Sequence, residues 1–281
     1  MTLFEDLMYW IKERHSIYLK KEAGLPAPWT TDPILSQYRF CNVYRELDAV
    51  TVWITENWRK PQFDDQDLWF AMVVARLFNL PSTLGVIEFP VSFDPETMRT
   101  KLHKIKDSGA NVFNGAYIVS TNGISMDKID YVIDRVLIPM WVARVTYRPK
   151  ATDTLQSFFN RLNGAQGMGK FMSAQVVADM KHVAPFITAP DWWAFAEPGP
   201  GSLRGMRRLF GLEAKDTKYD KSWKNNLFHL RDSVNEELSF LDYPELDAQN
   251  VQNCLCEFDK YMRCKLGEGK PKQLYRKGEN K

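Results

Sequence analysis

The stretch NGAQGMGKFMSAQVVADM, residues 163–180, decides how the chain is to be read. From Gly164 it spells G-x-x-x-x-G-K, the spacing of a loop that cradles nucleotide phosphates. Such a loop is delivered by a buried strand, and a Ser or Thr after its lysine holds magnesium. Neither condition is met. The lead-in TLQSFFNRLN (154–163) places Leu155, Phe158, Phe159 and Leu162 at i, i+3, i+4 and i+7, a helical period. The residue after Lys170 is Phe171, which cannot ligate a metal. The same letters fit two helices joined by a tight turn, with Gly167 and Gly169 reversing the chain and a second helix starting at about Lys170. The start of that helix carries free amides and partial positive charge, which suit a phosphate oxygen of a DNA strand, and Lys170 adds a charge-assisted contact. A helical hairpin with no ligand carries the same signature.

Outward from the hairpin, helical signals dominate. Thr2 and Glu5 form a capping box ahead of Phe4, Leu7, Met8 and Ile11. Asp32-Pro33 and Asp94-Pro95 each read as an N-cap followed by proline at the first helical position. The first of these opens a helix expected to run from Ile34 to about Trp58. Ser125 is a candidate cap for MDKIDYVIDRVLIPMW, and Asp247 begins a last helix, AQNVQNCLCEFDKYMRCK. LWFAMVVARLF (68–78) is too short for a membrane span and reads as a buried helix. Only GAYIVS (115–120) and WVARVTY (141–147) are strand candidates. The expected fold class is therefore mainly α, one helical domain over residues 1–281.

Composition agrees with an ordinary globular chain: 281 residues, 44% hydrophobic and 26% charged. The net charge of +2 is unevenly spread, because Lys260–Lys281 holds eight Lys/Arg against two Glu and the rest carries −4. A basic C-terminal tail over 260–281 is an electrostatic footprint for polyanions, though a solvated terminus has the same composition. The acidic start lacks the basic-then-apolar pattern of a signal peptide, so no export and no membrane are expected. Cys254, Cys256 and Cys264 cluster as C-x-C-x7-C, one thiolate short of an iron–sulfur set, and the four histidines show no ligand spacing, so no metal site is expected.

APDWWAFAEPGPGS (189–202) and LRGMRRLFG (203–211) follow the hairpin. This order resembles the helix-hairpin-helix DNA glycosylase superfamily over roughly 153–212. That resemblance implies a catalytic Asp at the start of a helix about twenty residues past the turn, and Asp191 lies 22 residues beyond Gly169. Members that cleave through a Schiff base have lysine where this chain has Phe171, so lyase chemistry is not implied.

A second resemblance spans most of the chain. ERHSIYLKKEAGLPAPWTTDPILSQYRFCNVYRELDAVTVWI (13–54), AEPGPGSLRGMRRLFG (196–211) and VQNCLCEFDKYMR (251–263) look like a phage family named for α-glutamyl/putrescinyl-thymine pyrophosphorylases. Its members are also described as DNA base hypermodification proteins or amino acid:DNA transferases, and a related helical region is fused to 5-hydroxymethyl-deoxyuridine DNA kinases. The resemblance implies a glycosylase-like helical fold that replaces pyrophosphate on 5-pyrophosphoryloxymethyl-deoxyuridine with an amine. The implied partners are double-stranded DNA carrying modified thymine and a free amino acid or polyamine, in the cytoplasm of an infected bacterium. No cofactor is demanded, but magnesium would accompany the pyrophosphate. A glycosylase acting on a modified base, a non-catalytic DNA-binding module and a kinase-associated module are the alternatives.

That chemistry needs an extruded base, cations for the leaving group, a base for the amine and an arginine for a carboxylate. Asp191, Asp179 and Glu46 are the catalytic candidates, although Asp191 fits a helix cap equally well. Arg39, Asn42 and Glu46 stand at i, i+3 and i+7 and make a polar stripe with Arg45 and Asp48 if the segment is helical; a solvated face has the same pattern. Arg14 and Trp29 join them as substrate-binding candidates, Asp32 being read as a cap. Gly167, Gly169, Lys170, Ser202, Arg204, Arg207 and Arg208 are the DNA-binding candidates, the last four on a basic helix that also reads as plain surface. Trp192 and Trp193 are stacking candidates or core.

Overall fold

A computed structural model describes residues 2–214, 221–271 and 274. In chain order the helices are α1 (Leu3–Glu22), α2 (Pro33–Gln37), α3 (Ala49–Ile54), α4 (Leu68–Phe78), α5 (Pro81–Ile87), α6 (Pro95–Asp107) and α7 (Lys128–Tyr131). They continue as α8 (Ile138–Val142), α9 (Arg144–Tyr147), α10 (Leu155–Asn163), α11 (Lys170–Met180), α12 (Pro200–Leu209), α13 (Trp223–Ser239) and α14 (Ala248–Lys265). The described residues hold no strand, only an isolated bridge between Tyr38 and Leu274. Both strand expectations are corrected: 115–120 is irregular, and 141–147 is helical in α8 and α9. Among the described residues no helix is long and apolar enough to cross a membrane. Much of the basic tail, 272–273 and 275–281, lies outside the described residues.

The chain divides into two compact units, Met1–Asp48 with Ala196–Lys281, and Ala49–Phe195. In the first, α1, α12, α13 and α14 surround a core that includes Trp10, Ile11, Leu227 and Phe258. Local rules set the ends of these helices. Thr2 and Glu5 close the capping box on α1. The Asp32 carboxylate caps α2 through the amides of Ile34 and Leu35, and Asp247 caps α14 through Asn250. Asp32 also accepts the hydroxyls of Tyr9 (3.1 Å) and Tyr261 (2.8 Å), so it is a structural cap.

The closest helix contact in this unit is α12 on α14. A Cβ at Gly205 would lie 2.2 Å from the backbone oxygen of Leu255, and one at Gly201 would lie 2.3 Å from the Cys256 sulfur. The two glycines, one turn apart, let the helix backbones approach.

In the second unit α4 is the central helix, with all eleven residues buried, and it packs against α11. Its end is set by Asn79, which takes the left-handed conformation at φ 48°. α10 carries Leu155, Phe158, Phe159 and Leu162 inward, as their spacing requires. Asp127, rather than Ser125, caps α7.

The long helix expected from Ile34 to Trp58 is corrected. α2 ends at Gln37, residues 39–44 are irregular, Arg45–Leu47 is one 3-10 turn, and helix resumes at Ala49. Tyr38 leaves α2 in extended conformation (φ −109°, ψ 146°). Side chains from α1 and α14 then take over the backbone groups that a helix would have paired.

Gly205→Ala is expected to cost ~1–3 kcal/mol by overpacking the α12–α14 contact. Gly199→Ala, whose Cβ would meet nothing, is expected to cost less, no more than about 1 kcal/mol from the poorer N-cap of α12. Urea midpoints of the two variants test this.

Candidate functional site

The segment 39–48 is a loop strapped from two sides. From α1, the buried Arg14 donates through Nε to the oxygens of Phe40 (3.3 Å) and Cys41 (3.1 Å), and through Nη2 to Phe40 O (3.2 Å) and Asn42 Oδ1 (2.6 Å). Its Nη1 is buried with no hydrogen-bond partner. From α14, Asn250 Oδ1 accepts the Arg45 amide (2.9 Å), Asn253 donates to Asn42 O (3.3 Å), and Glu257 Oε2 accepts the Cys41 amide (2.9 Å). Asn250 Nδ2 also reaches Glu46 Oε2 at 3.4 Å. Within the loop, the Asn42 amide donates to Asp48 Oδ1 (2.8 Å) and Asn42 Nδ2 to Leu47 O (2.6 Å).

The structure therefore brings Arg14, Asn42, Arg45, Glu46 and Asp48 into one polar cluster, but by loop strapping and not on a helix face. Arg39 is exposed on the same loop. The i, i+3, i+7 stripe does not exist, because a helical register never forms there. Sequence reading missed Asn250, Asn253, Glu257 and Lys260, which lie at i, i+3, i+7 and i+10 on α14. That polar face was the available signal.

Within the cluster, burial pushes the Asp48 carboxyl up to about 6 from 3.8, against the Asn42 amide and the charges of Arg45 and Arg14, which favour the anion. A carboxylate poised there takes and returns protons near neutral pH. His15, beside Arg14 on α1, is boxed by Tyr44 (4.9 Å between ring centroids) and Tyr243 (4.7 Å). Burial, helped by Arg14, lowers its proton affinity, so it is a neutral packing group at pH 7. Trp29 stands apart from the loop, with Lys21 Nζ 4.7 Å over its ring and its Nε1 given to Leu25 O.

In the second unit, α10 and α11 flank the glycine turn, so Gly164–Lys170 is entered from a helix. The two turn glycines have different reasons. Gly167 sits at φ +79°, and a Cβ there would lie 2.4 Å from Val136 Cγ2, so the fold itself demands glycine. Gly169 caps α11 in extended backbone that any residue adopts, and a Cβ there would meet nothing. Lys170 and Phe171 are exposed beside it.

Asp179 is fully buried and held by Arg76 in a bidentate pair, Nε–Oδ2 and Nη2–Oδ1 both 2.6 Å. Arg76 also reaches Asn79 and Thr51, and Arg59 holds the Asp179 carbonyl. Asp179 is thus the counter-ion of the one charge on α4. Asp191 lies in a turn and not at the start of a helix; its carboxylate caps α10 in trans through the amides of Leu155 and Gln156, both 2.9 Å. Lys181, which no local pattern marks, is fully buried with Nζ 3.9 Å over the Trp192 ring. Trp192 gives its Nε1 to Lys181 O, while Trp193 stays half exposed.

The basic helix α12 is bound up in its own unit. Ser202 is buried and closes the N-terminal turn of α12 against Gly199, so it is a cap. Arg204 and Arg208 point their Nε atoms at the fully buried Asp259 of α14, at 2.8 and 2.9 Å. Arg207 donates to Glu213 O at 2.7 Å. His103, Asp127 and Asp130 of the other unit come close enough to share an ion. Lys106 already pairs with Asp127, and Arg99 with Asp130.

The chain belongs to the family described as 5-hmdU DNA kinase, helical domain, whose model matches residues 1–270. A 5-hmdU DNA kinase of Bacillus phage SP10 is similar to it, 27% identical over 298 residues that take in 92% of this chain and 45% of the phage protein. The chain thus spans less than half the length of that relative. No solved structure matches it.

The raised Asp48 carboxyl fixes a sign. Its stabilising contribution is complete below about pH 4 and is lost as pH rises through about 6, because folding then confines a charge that the unfolded chain leaves in water. Asp48→Asn keeps an acceptor for the Asn42 amide and removes that loss. Relative to wild type, the variant is expected to gain stability steadily between pH 4 and pH 7. Urea titrations of both proteins at several pH values check the slope; parallel curves would sink the assignment.

Proposed function

We propose that this chain is a bacteriophage DNA-modification enzyme. It exchanges pyrophosphate on 5-pyrophosphoryloxymethyl-deoxyuridine for an amine, within double-stranded DNA in the cytoplasm of the infected host. The observation that carries the reading is the family match across residues 1–270, to the helical domain of kinases named for 5-hmdU in DNA. The helical lead-in to Gly164 and the apolar Phe171 set the 164–170 turn apart from a nucleotide phosphate loop.

In this reading the amine nitrogen attacks the 5-methylene carbon, the carbon–oxygen bond to pyrophosphate breaks, and the amine proton passes to Asp48. A base poised near neutral pH contributes roughly 10²–10⁴-fold to such a step. Arg14, whose Nη1 has no partner, and Arg45 supply positive charge for the anionic groups of the amine donor or the leaving group. Glu46 completes the polar rim, and magnesium would arrive with the pyrophosphate. The α10–α11 hairpin serves as a helix-hairpin-helix grip on a DNA phosphate in a glycosylase-like fold. Gly169, the N-cap of α11, supports that role by leaving the turn bare beside the first amides of the helix.

A second reading is a non-catalytic module that engages modified DNA alongside a kinase. It is favoured by Asp179 and Asp191, the expected bases, both being tied to structural partners.

Mass spectrometry of nucleosides decides between them, after incubation of the protein with pyrophosphorylated DNA and either an amino-acid mixture or putrescine. A new amine-bearing nucleoside is expected, reduced about 10²-fold or more by Asp48→Asn. Unchanged DNA would favour the module, and abasic sites would favour a glycosylase. In the same preparation Gly169→Ala is expected to weaken DNA binding at a stability cost of no more than about 1 kcal/mol from the poorer N-cap, whereas Gly167→Ala loses more because its Cβ would meet Val136 at positive φ.

A further inference from the structure

Beside the α12–α14 crossing, three guanidinium groups converge on one carboxylate. Asp259 Oδ1 accepts Arg208 Nε at 2.9 Å, and Oδ2 accepts Arg204 Nε at 2.8 Å. Arg263 Nε stands 3.3 Å from the same Oδ2, an ion pair without hydrogen-bond alignment. Asp259 is completely buried, so its two oxygens are already taken. All three arginines are thus anchored through Nε, the atom that leaves the outer Nη fork available.

The forks are treated unequally. Arg208 gives both Nη atoms to Glu268, just past the end of α14. Among the described residues, the Nη atoms of Arg204 and Arg263 meet no acceptor. Those two side chains are 29% and 36% exposed and line an open hollow of about 660 Å³ with Arg208, Glu213 and Glu268. Three cations therefore face one buried anion, and the remaining carboxylates sit at the rim, Glu268 being 46% exposed. A buried carboxylate that fixes arginine forks toward a solvent-open hollow is an arrangement for an oxyanion, because planar guanidinium forks match paired phosphate oxygens.

We infer that this hollow binds a phosphate-bearing anion through the forks of Arg204 and Arg263. Glu268 holds the Arg208 fork as an internal competitor until the anion displaces it. The chemistry is shared by inorganic pyrophosphate and by the backbone phosphates of DNA, and the two are separable by experiment. Binding is measured without amine or modified base, so a failure here is distinct from a failure of the transfer reaction proposed above.

The test titrates the full chain with sodium pyrophosphate by calorimetry and, separately, with a labelled DNA duplex by anisotropy at several salt concentrations. If pyrophosphate is the occupant, Arg204→Gln with Arg263→Gln weakens its binding about tenfold or more, and Glu268→Gln tightens it severalfold. If the backbone is the occupant, the double variant instead lowers duplex affinity and reduces the salt slope by about two, and pyrophosphate does not bind measurably. Unchanged affinity for both anions in a double variant of native helicity would overturn the proposal. Should the double variant fail to fold, Glu268→Gln alone decides, since it alters an exposed rim residue: tightening of either anion supports the site, and no tightening of either overturns it.

Discussion

The close approach of α12 to α14 is the constraint on which most of the first unit depends. It exists because positions 201 and 205 have no side chain, which brings the Leu255 carbonyl and the Cys256 sulfur to where Cβ atoms would stand. At that distance Asp259 reaches both Arg204 and Arg208, one helical turn apart on α12. The same contact fixes α14 along its length, and α14 carries Asn250, Asn253 and Glu257 on another face. Those three side chains hold the loop 39–48 in a shape its own residues do not specify. The geometry around Asp48 is therefore inherited from two glycines more than 150 residues away in sequence.

The second unit rests on a different device. α4 is apolar on every side except at Arg76, and a buried guanidinium without a carboxylate would be costly. Asp179 on α11 answers it with two hydrogen bonds, and Asn79 and Thr51 take further donors. The glycine hairpin is thereby tied to the central helix at the far end of α11 from its turn. The turn itself stays open at Gly169 while Gly167 is locked by Val136.

Local signals were legible in the sequence. The caps at Thr2, Asp32, Asp94 and Asp247, the apolar period of α10 and the buried run of α4 depend on neighbours within a turn or two, and each lies where spacing places it. The loop 39–48 was not legible. Its Arg, Asn and Glu spacing imitates a helix, and what prevents helix is the competition of Arg14, Asn250 and Glu257, which lie 26 to 216 residues from their partners. Asp191 misled for the converse reason. Asp191 was read as fitting a helix cap equally well, and it is one, but for α10, 35 residues earlier, and not for a helix that follows it.

The fates of the buried and half-buried carboxylates follow from a single comparison of what each one meets. Asp179 and Asp259 are held by guanidinium groups. Asp32, Asp191 and Asp247 are held by helix-start amides. Asp48 meets one amide in its own loop, while the charges of Arg14 and Arg45 act on it without a direct hydrogen bond to its oxygens among those described. Burial then outweighs the groups that favour the anion, and its proton affinity rises into the neutral range. A carboxylate that the fold needs as an anion is poorly suited to accept a proton during a reaction, and one left under-compensated is well suited to it. On that ground the proposed reaction takes Asp48, a residue first read as a binding contact, as its proton acceptor in preference to the three acids first chosen for it.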